Sequence, residues 1–255
     1  MGSISNNEIK KIKSLQQKKF RDEMSLFVVE GEKMVDEAVK SPFIVENIYR
    51  RDEIGEEAMR RISALNSPSP VLAVVRKPAD IYVEAASVHE GLFSADGLYL
   101  GLDTIRDPGN LGTILRIADW FGVDAVFAAK DTVDVFNPKV VQATMGAVFR
   151  ERMHYVDLPS ITKSFLSHGG KVYGTFLDGR NMYEMDLSTG EDSPVMIVVG
   201  NESEGISEEM GLLVSDRLYI PPYPTGDTGS ESLNAAVATA VTVAEFRRRT
   251  LSDAK

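Results

Sequence analysis

The chain has no cysteine among its 255 residues, which excludes disulfides, thiolate zinc sites and cysteine nucleophiles together. Its three histidines, His89, His154 and His168, are scattered without metal or triad spacing. Ordinary structural or surface roles are expected for all three, and no metal is implied. No apolar run approaches the ~18 residues of a membrane-spanning helix, and the opening MGSISNNEIKKIK lacks the apolar stretch of a secretory leader. A soluble cytoplasmic protein is the expectation. Positive charge is in short supply, with a formal net charge of -10, which argues mildly against a protein that coats nucleic acid.

An apolar fraction of 43% is ample for a packed core, and the length suits one large domain or two modest ones. The cations are unevenly spread. Lys10, Lys11, Lys13, Lys18, Lys19 and Arg21 crowd the first residues against the single acid Glu8. A solvated helix face explains such a cluster. So does an RNA-contacting edge, because phosphate contacts need only a local basic patch.

Two segments part near residues 80 to 97, with a first domain over 1–85, a linker over 86–97 and a second domain over 98–255. In the first, NEIKKIKSLQQKK, EKMVDEAVK and EEAMRRISAL read as helices, while SLFVVEG, FIVENIYR and PVLAVVRK read as strands, a small α/β/α unit. The second opens with LYLGLD, an apolar strand suited to burial on both faces of a parallel sheet, and AVFAA, KVYGTFL, PVMIVVG and RLYIP look alike. Between them lie the helical patterns LGTILRIADWFG, PKVVQATMGAVF, SITKSFLSHG, SEEMGLLVSD and SLNAAVATAVTVAEFRRR. The alternation predicts a doubly wound parallel sheet.

Ligands in open α/β sheets bind at the carboxyl ends of the strands. The loop GLDTIRDPGNLG fits neither G-x-G-x-x-G nor a P-loop, so a Rossmann dinucleotide enzyme and a Walker-type NTPase are both poorly supported. VVGNESEGISEEM brings Gly200, Glu202 and Gly205 into one tight turn, and IPPYPTGDTGSESLNAAVATA feeds an alanine-rich helix through Ser232, Leu233 and Asn234. Each loop alone is explained by turn chemistry. Three polar, glycine-bearing loops at one sheet edge point to a site. In the first helix of this segment, Leu111, Ile114, Leu115, Ala118 and Phe121 form the apolar stripe, Asn110 is placed as N-cap and Gly122 as the stop. Arg116 falls off the stripe near the electropositive end of the helix, where a cation gains nothing from the dipole. Pairing with Asp119 or Asp107 explains it, and so does a substrate. Trp120 is expected in the core or an interface.

NLGTILRIADWFG, IVVGNESEGIS and IP…SLNAAVATAV resemble, in order and spacing, the three motifs of the SpoU (TrmH-like) RNA ribose methyltransferases of the SPOUT superfamily, over roughly residues 98–250. The resemblance implies a parallel sheet tied in a trefoil knot, preceded by a small RNA-binding domain. It implies S-adenosylmethionine as cofactor, held at Thr175, Leu177, Gly200, Ile220 and Leu233, and a homodimer formed through the C-terminal domain. The implied reaction is methyl transfer to a ribose 2'-hydroxyl of structured RNA, ribosomal RNA favoured over transfer RNA. Arg116 matches the arginine that activates that oxygen; Asn110, Glu202, Ser232 and Asn234 complete the implied catalytic set. Lys10, Lys11, Lys18, Lys19 and Arg21 are the expected RNA-binding cations. The loop 221–231 is longer than the family's usual link. A catalytically idle RNA-binding protein that keeps the knotted fold is the competing reading.

Overall fold

The apolar runs of the sequence become strands in the computed structural model, which describes residues 4–81, 93–187, 193–224 and 232–253. His89, most of the expected linker and residues 225–231 of the long loop lie outside the described residues. Along the chain come α1 (Asn6–Ser14), α2 (Lys18–Met24), β1 (Leu26–Glu30), α3 (Glu32–Lys40), β2 (Val45–Arg50), α4 (Arg51–Ile54), α5 (Glu56–Ile62) and β3 (Val71–Arg76). Next are β4 (Leu98–Asp103), α6 (Pro108–Phe121), β5 (Ala125–Ala129), α7 (Pro138–Thr144), β6 (Met153–Val156), α8 (Leu158–Ser167) and β7 (Lys171–Asn181). The last are β8 (Val195–Gly200), α9 (Glu208–Gly211), β9 (Asp216–Tyr219) and α10 (Ala235–Asp253). They cluster into two compact units, Met1–Ala79 with Asp134–Arg150, and Asp80–Val133 with Glu151–Lys255.

The first unit is built on an antiparallel sheet of order β1-β3-β2. Side chains alternate across a strand, so β1 sends Leu26 and Val28 into a cluster with Ile9, Ile12 and Leu15 from the α1 end and Met59 and Ile62 of α5. Phe27 points the other way, with its ring 4.5 Å from that of Phe136, while Phe43 meets Phe149 at 5.2 Å. The second face of this sheet is therefore covered in part by the segment 134–150. PKVVQATMGAVF, expected as one helix of the second segment, is α7 followed by a 3-10 turn at Ala147–Phe149, the break falling where Met145 and Gly146 take positive φ (51° and 100°).

The expected single helix through Lys18 is also broken, between α1 and α2. The side chain of Arg21, on α2, reaches back into the break. Its Nη1 donates to the carbonyls of Leu15 and Gln16 at 2.9 Å, and Nε and Nη2 donate to Asp134 Oδ2 at 2.9 and 2.6 Å. At 2% exposure Arg21 is buried. Its expected place among the RNA-contacting cations is corrected: the guanidinium satisfies an interior carboxylate and two orphaned carbonyls. Lys10, Lys11, Lys18 and Lys19 are exposed.

The second unit carries six parallel strands in the order β6-β5-β4-β8-β7-β9. β4 and β8 are buried throughout, as their unbroken apolar runs predict. From β4 the chain winds outward through β5 and β6, then fills the other side, so the winding direction reverses between β4 and β8, where Asp103 pairs with Gly200. That reversal is where open α/β sheets form their ligand crevice. β6, MHYV, is a strand that the reading of apolar runs omits. SEEMGLLVSD shrinks to α9, one turn capped by Ser207. α10 packs on α6, with Thr239 and Thr242 fully buried and bonded back to the carbonyls of Ala235 and Ala238. Arg247 Nε donates to the Phe121 carbonyl at 2.8 Å, tying α10 to the end of α6. Trp120 is 84% exposed and is not a core residue of this chain. Among the described residues no helix is long and apolar enough to cross a membrane.

Breaking a buried ion pair from one side strands the other charge and costs about 3 kcal/mol or more. Asp134→Ala is therefore expected to destabilise the first unit by about 3 kcal/mol in urea unfolding of the full chain, whereas Arg21→Met with Asp134→Leu should cost much less. Equal losses from the single and double replacements would show that the pair does not hold the segment 134–150.

Candidate active site

Three loops meet where β4 and β8 end. Asp107, not Asn110, caps α6: its Oδ1 accepts the Asn110 N–H at 2.8 Å, and Pro108 follows at the first helical position, where a missing N–H costs nothing. The exchange of roles releases the Asn110 side chain. Its Nδ2 donates to Glu202 Oε1 at 2.9 Å, and its Oδ1 accepts from Asn234 Nδ2 at 2.8 Å. Asn234 is in turn fixed as the cap of α10, its Oδ1 accepting the N–H groups of Ala236 and Val237 at 3.0 and 3.3 Å. One residue from each of the three motifs thus stands in a single chain of hydrogen bonds.

Glu202 also accepts the backbone N–H of Asp107 at 3.3 Å and of Arg106 at 3.5 Å. Burial pushes its carboxyl up, and the Asn110 amide with these backbone donors outweighs that, holding it below the ordinary carboxylate value. An ionised Glu202 only accepts, so it fixes which way the Asn110 amide faces.

Beside the chain of hydrogen bonds lies a cavity of about 560 Å³, whose lining includes Thr175, Leu177, Gly200, Ile220 and Leu233 together with Glu202, Ser232 and Asn234. Leu177 and Leu233 remain 67% and 49% exposed there, an apolar surface beside strand-end backbone. Gly200 has no room for a side chain, since a Cβ would sit 2.2 Å from the Gly205 carbonyl carbon and the Ile206 nitrogen. The loop after β8 can fold over the strand end only on a glycine. A cavity that sets apolar side chains beside polar ones and strand-end main chain suits a flat heterocycle with a polar edge, and so fits a nucleoside cofactor. Arg116 is not drawn into the chain. It lies exposed on α6 in line with Thr113 and Trp120, with no hydrogen bond or ion pair to any described residue, Asp119 and Asp107 included. Sequence reasoning missed Asp103, Thr104 and Asn201, which join the first two loops: Asn201 Nδ2 donates to the Thr104 carbonyl at 2.9 Å, and Asp103 Oδ2 accepts the Ser207 N–H at 2.7 Å. The signal available was Asn201 beside Glu202, as asparagine is a turn-forming residue.

A model of the SpoU rRNA Methylase family matches residues 97–244, and a model of the MRM3-like substrate binding domain matches residues 6–77. The chain belongs to the SpoU rRNA methylase family. It is 32% identical over 260 residues to the 23S rRNA (guanosine(2553)-2'-O)-methyltransferase RlmP of Bacillus subtilis (strain 168), with 96% of this chain and 98% of that one covered. It is 25% identical to the human mitochondrial rRNA methyltransferase 3, over 90% of this chain and 69% of that one. Among solved structures, a putative RNA methyltransferase of the TrmH family from Porphyromonas gingivalis aligns with a TM-score of 0.83 at 35% identity, covering 97% of this chain and 100% of that one. The AdoMet-bound rRNA methyltransferase of Sinorhizobium meliloti aligns with a TM-score of 0.83 at 29% identity, covering 97% of both chains.

A carboxyl whose folded pKa lies below its unfolded value adds stability that is full above the unfolded value and fades as pH falls through the folded one. For Glu202 that loss is expected as pH drops below 4.5. Glu202→Gln should therefore flatten the acid limb of Tm against pH. An unchanged limb would show that Glu202 is not held ionised by Asn110 and the loop.

Proposed function

We infer that this chain methylates a ribose 2'-hydroxyl of ribosomal RNA using S-adenosylmethionine. The observation that carries the reading is the chain of hydrogen bonds from Glu202 through Asn110 to Asn234 beside the cavity at the winding reversal. Thr175, Leu177, Gly200, Ile220 and Leu233 would hold the cofactor. The cofactor supplies an activated methyl group on a sulfonium, whose leaving sulfur is neutral and needs no acid.

The chain's own task is then positioning and help at one oxygen, whose proton is released to water. The guanidinium of Arg116 is a cation and a very poor general base. Its role is to stabilise the charge that grows on the 2'-oxygen and to grip a neighbouring phosphate with its planar fork. Asn110, oriented by Glu202, and Ser232 and Asn234 at the mouth of α10 face the nucleotide. Lys10, Lys11, Lys18 and Lys19 supply phosphate contacts in the first unit, Lys18 by exchanging its ion pair with Asp22 for a phosphate, supported by the substrate-binding match over 6–77. The exposed stripe Thr113, Arg116 and Trp120 supports a homodimer through the second unit, with Arg116 at its edge. The trefoil knot and a cytoplasmic location complete the reading, the first on family grounds and the second on the substrate alone.

Arg116→Ala is expected to leave the fold and cofactor affinity nearly intact and cut methyl transfer roughly a hundredfold, about 3 kcal/mol in the transition state. Arg116→Lys should stay poor at every pH. Recovery toward wild-type rate as pH rises would assign proton abstraction to this position instead. In the same assay, reversing Lys10, Lys11, Lys18 and Lys19 should raise KM for RNA and flatten its salt dependence by roughly one unit of log slope for each phosphate no longer neutralised. An unchanged slope would make these lysines a solvated face. A stable, active monomer by light scattering would count against the dimer.

A further inference from the structure

The loops after β4 and β8 are joined more firmly than Glu202 alone requires. Thr104, the first residue beyond β4, has a φ of 65°, a left-handed conformation that a β-branched side chain resists. Its carbonyl is the acceptor for Asn201 Nδ2. Asn201 is 8% exposed, and the rest of its bonding closes its own turn. Its Oδ1 accepts the N–H groups of Ser203 and Glu204 at 2.9 and 3.0 Å, and its backbone exchanges two hydrogen bonds with Gly205 at 2.9 Å. Two and three residues after Thr104 come the N–H groups of Arg106 and Asp107, which converge on Glu202. Released from Asn201, Thr104 would relax toward extended or right-handed backbone, and those two N–H groups would turn away from the carboxylate.

The geometry points to Asn201 as a positioning residue for methyl transfer: it holds Thr104 left-handed, so that the segment 105–107 presents its N–H groups to Glu202, and Glu202 orients Asn110. Thr104 is not among the residues that line the cavity, and Asn201 reaches its wall from the turn after β8 with its side-chain amide committed to the Thr104 carbonyl and to the N–H groups of Ser203 and Glu204. A residue that merely closes the turn after β8 would act on the cavity lined by that turn, whereas a positioning residue acts on the rate. The inference rests on the methyl-transfer reading above.

Asn201→Ser, Thr104→Gly and their combination in the full chain separate the two. A serine hydroxyl still accepts from a backbone N–H two residues on but is too short to donate to the Thr104 carbonyl. Asn201→Ser is expected to lower kcat about tenfold, as a displaced loop does, with cofactor affinity by calorimetry within about twofold. Adding Thr104→Gly should recover most of the loss, because glycine adopts the left-handed conformation without a Cβ penalty. Amide hydrogen exchange at Arg106 and Asp107 should speed up in Asn201→Ser and slow again in the double variant. A wild-type rate in Asn201→Ser, a loss of folding or cofactor binding there, or no recovery on adding Thr104→Gly would each overturn the proposal. If the wild-type chain transfers no methyl group to RNA, the functional reading fails by itself, and exchange at residues 106 and 107 still decides the positioning.

Discussion

Asn110 can join Glu202 to Asn234 only because Asp107 has taken over the capping of α6. A helix start leaves several backbone N–H groups without partners, and a side chain that caps cannot also reach sideways. With Asp107 in that post, the Asn110 amide is held at both ends, oxygen to Asn234 and nitrogen to Glu202. The direction of the amide follows from charge. Glu202 is a pure acceptor, and Asn234 has committed its own oxygen to the start of α10. Cutting any one link leaves the others free to turn, so the three motifs, far apart in sequence, act as one unit.

The sheet makes that unit feasible. β4 and β8 are neighbours at the winding reversal, so the loops that leave them emerge side by side, and α10 brings the third loop to the same edge by packing on α6. Gly200 lets the β8 loop fold over the strand end, and Thr104 bends the β4 loop toward it at the cost of an unfavourable backbone conformation. Strain placed beside a polar network is retained only where surrounding bonds over-determine it, and here Asn201 supplies them.

The central strands and the three motif loops were legible because a strand buried on both faces reads as a continuous apolar run and because polar glycine-bearing loops stand out between such runs. β6 was not, since MHYV is a short strand at the sheet edge and carries no such run. The placement of 134–150 was not legible either: amphipathicity says that Val140 and Val141 will be buried, not which sheet will bury them. Arg21 failed for a related reason. A cation within a basic cluster looks solvated until its carboxylate, 113 residues away, is known. Thr104 gives no signal at all, because its conformation is imposed from outside by Asn201.

The division of charge resolves the tension between an acidic chain and a polyanionic substrate. The first unit carries 16 Lys and Arg against 13 Asp and Glu, a net of +3 within a chain of -10, so the second unit carries -13. Several first-unit acids are already matched: Asp22 takes Lys18 and Lys77, Glu56 takes Arg51 and Arg60, Glu46 takes Arg76 and Glu37 takes Arg150. Exposed Lys10, Lys11 and Lys19 are outside these pairs. Exposed charges are screened beyond a Debye length of about 8 Å at physiological salt, so RNA meets a local field and not the net charge. What counts for a polyanion is then the exposed cations nearest to it, and the first unit offers them at Lys10, Lys11 and Lys19, outside the ion pairs of the described residues.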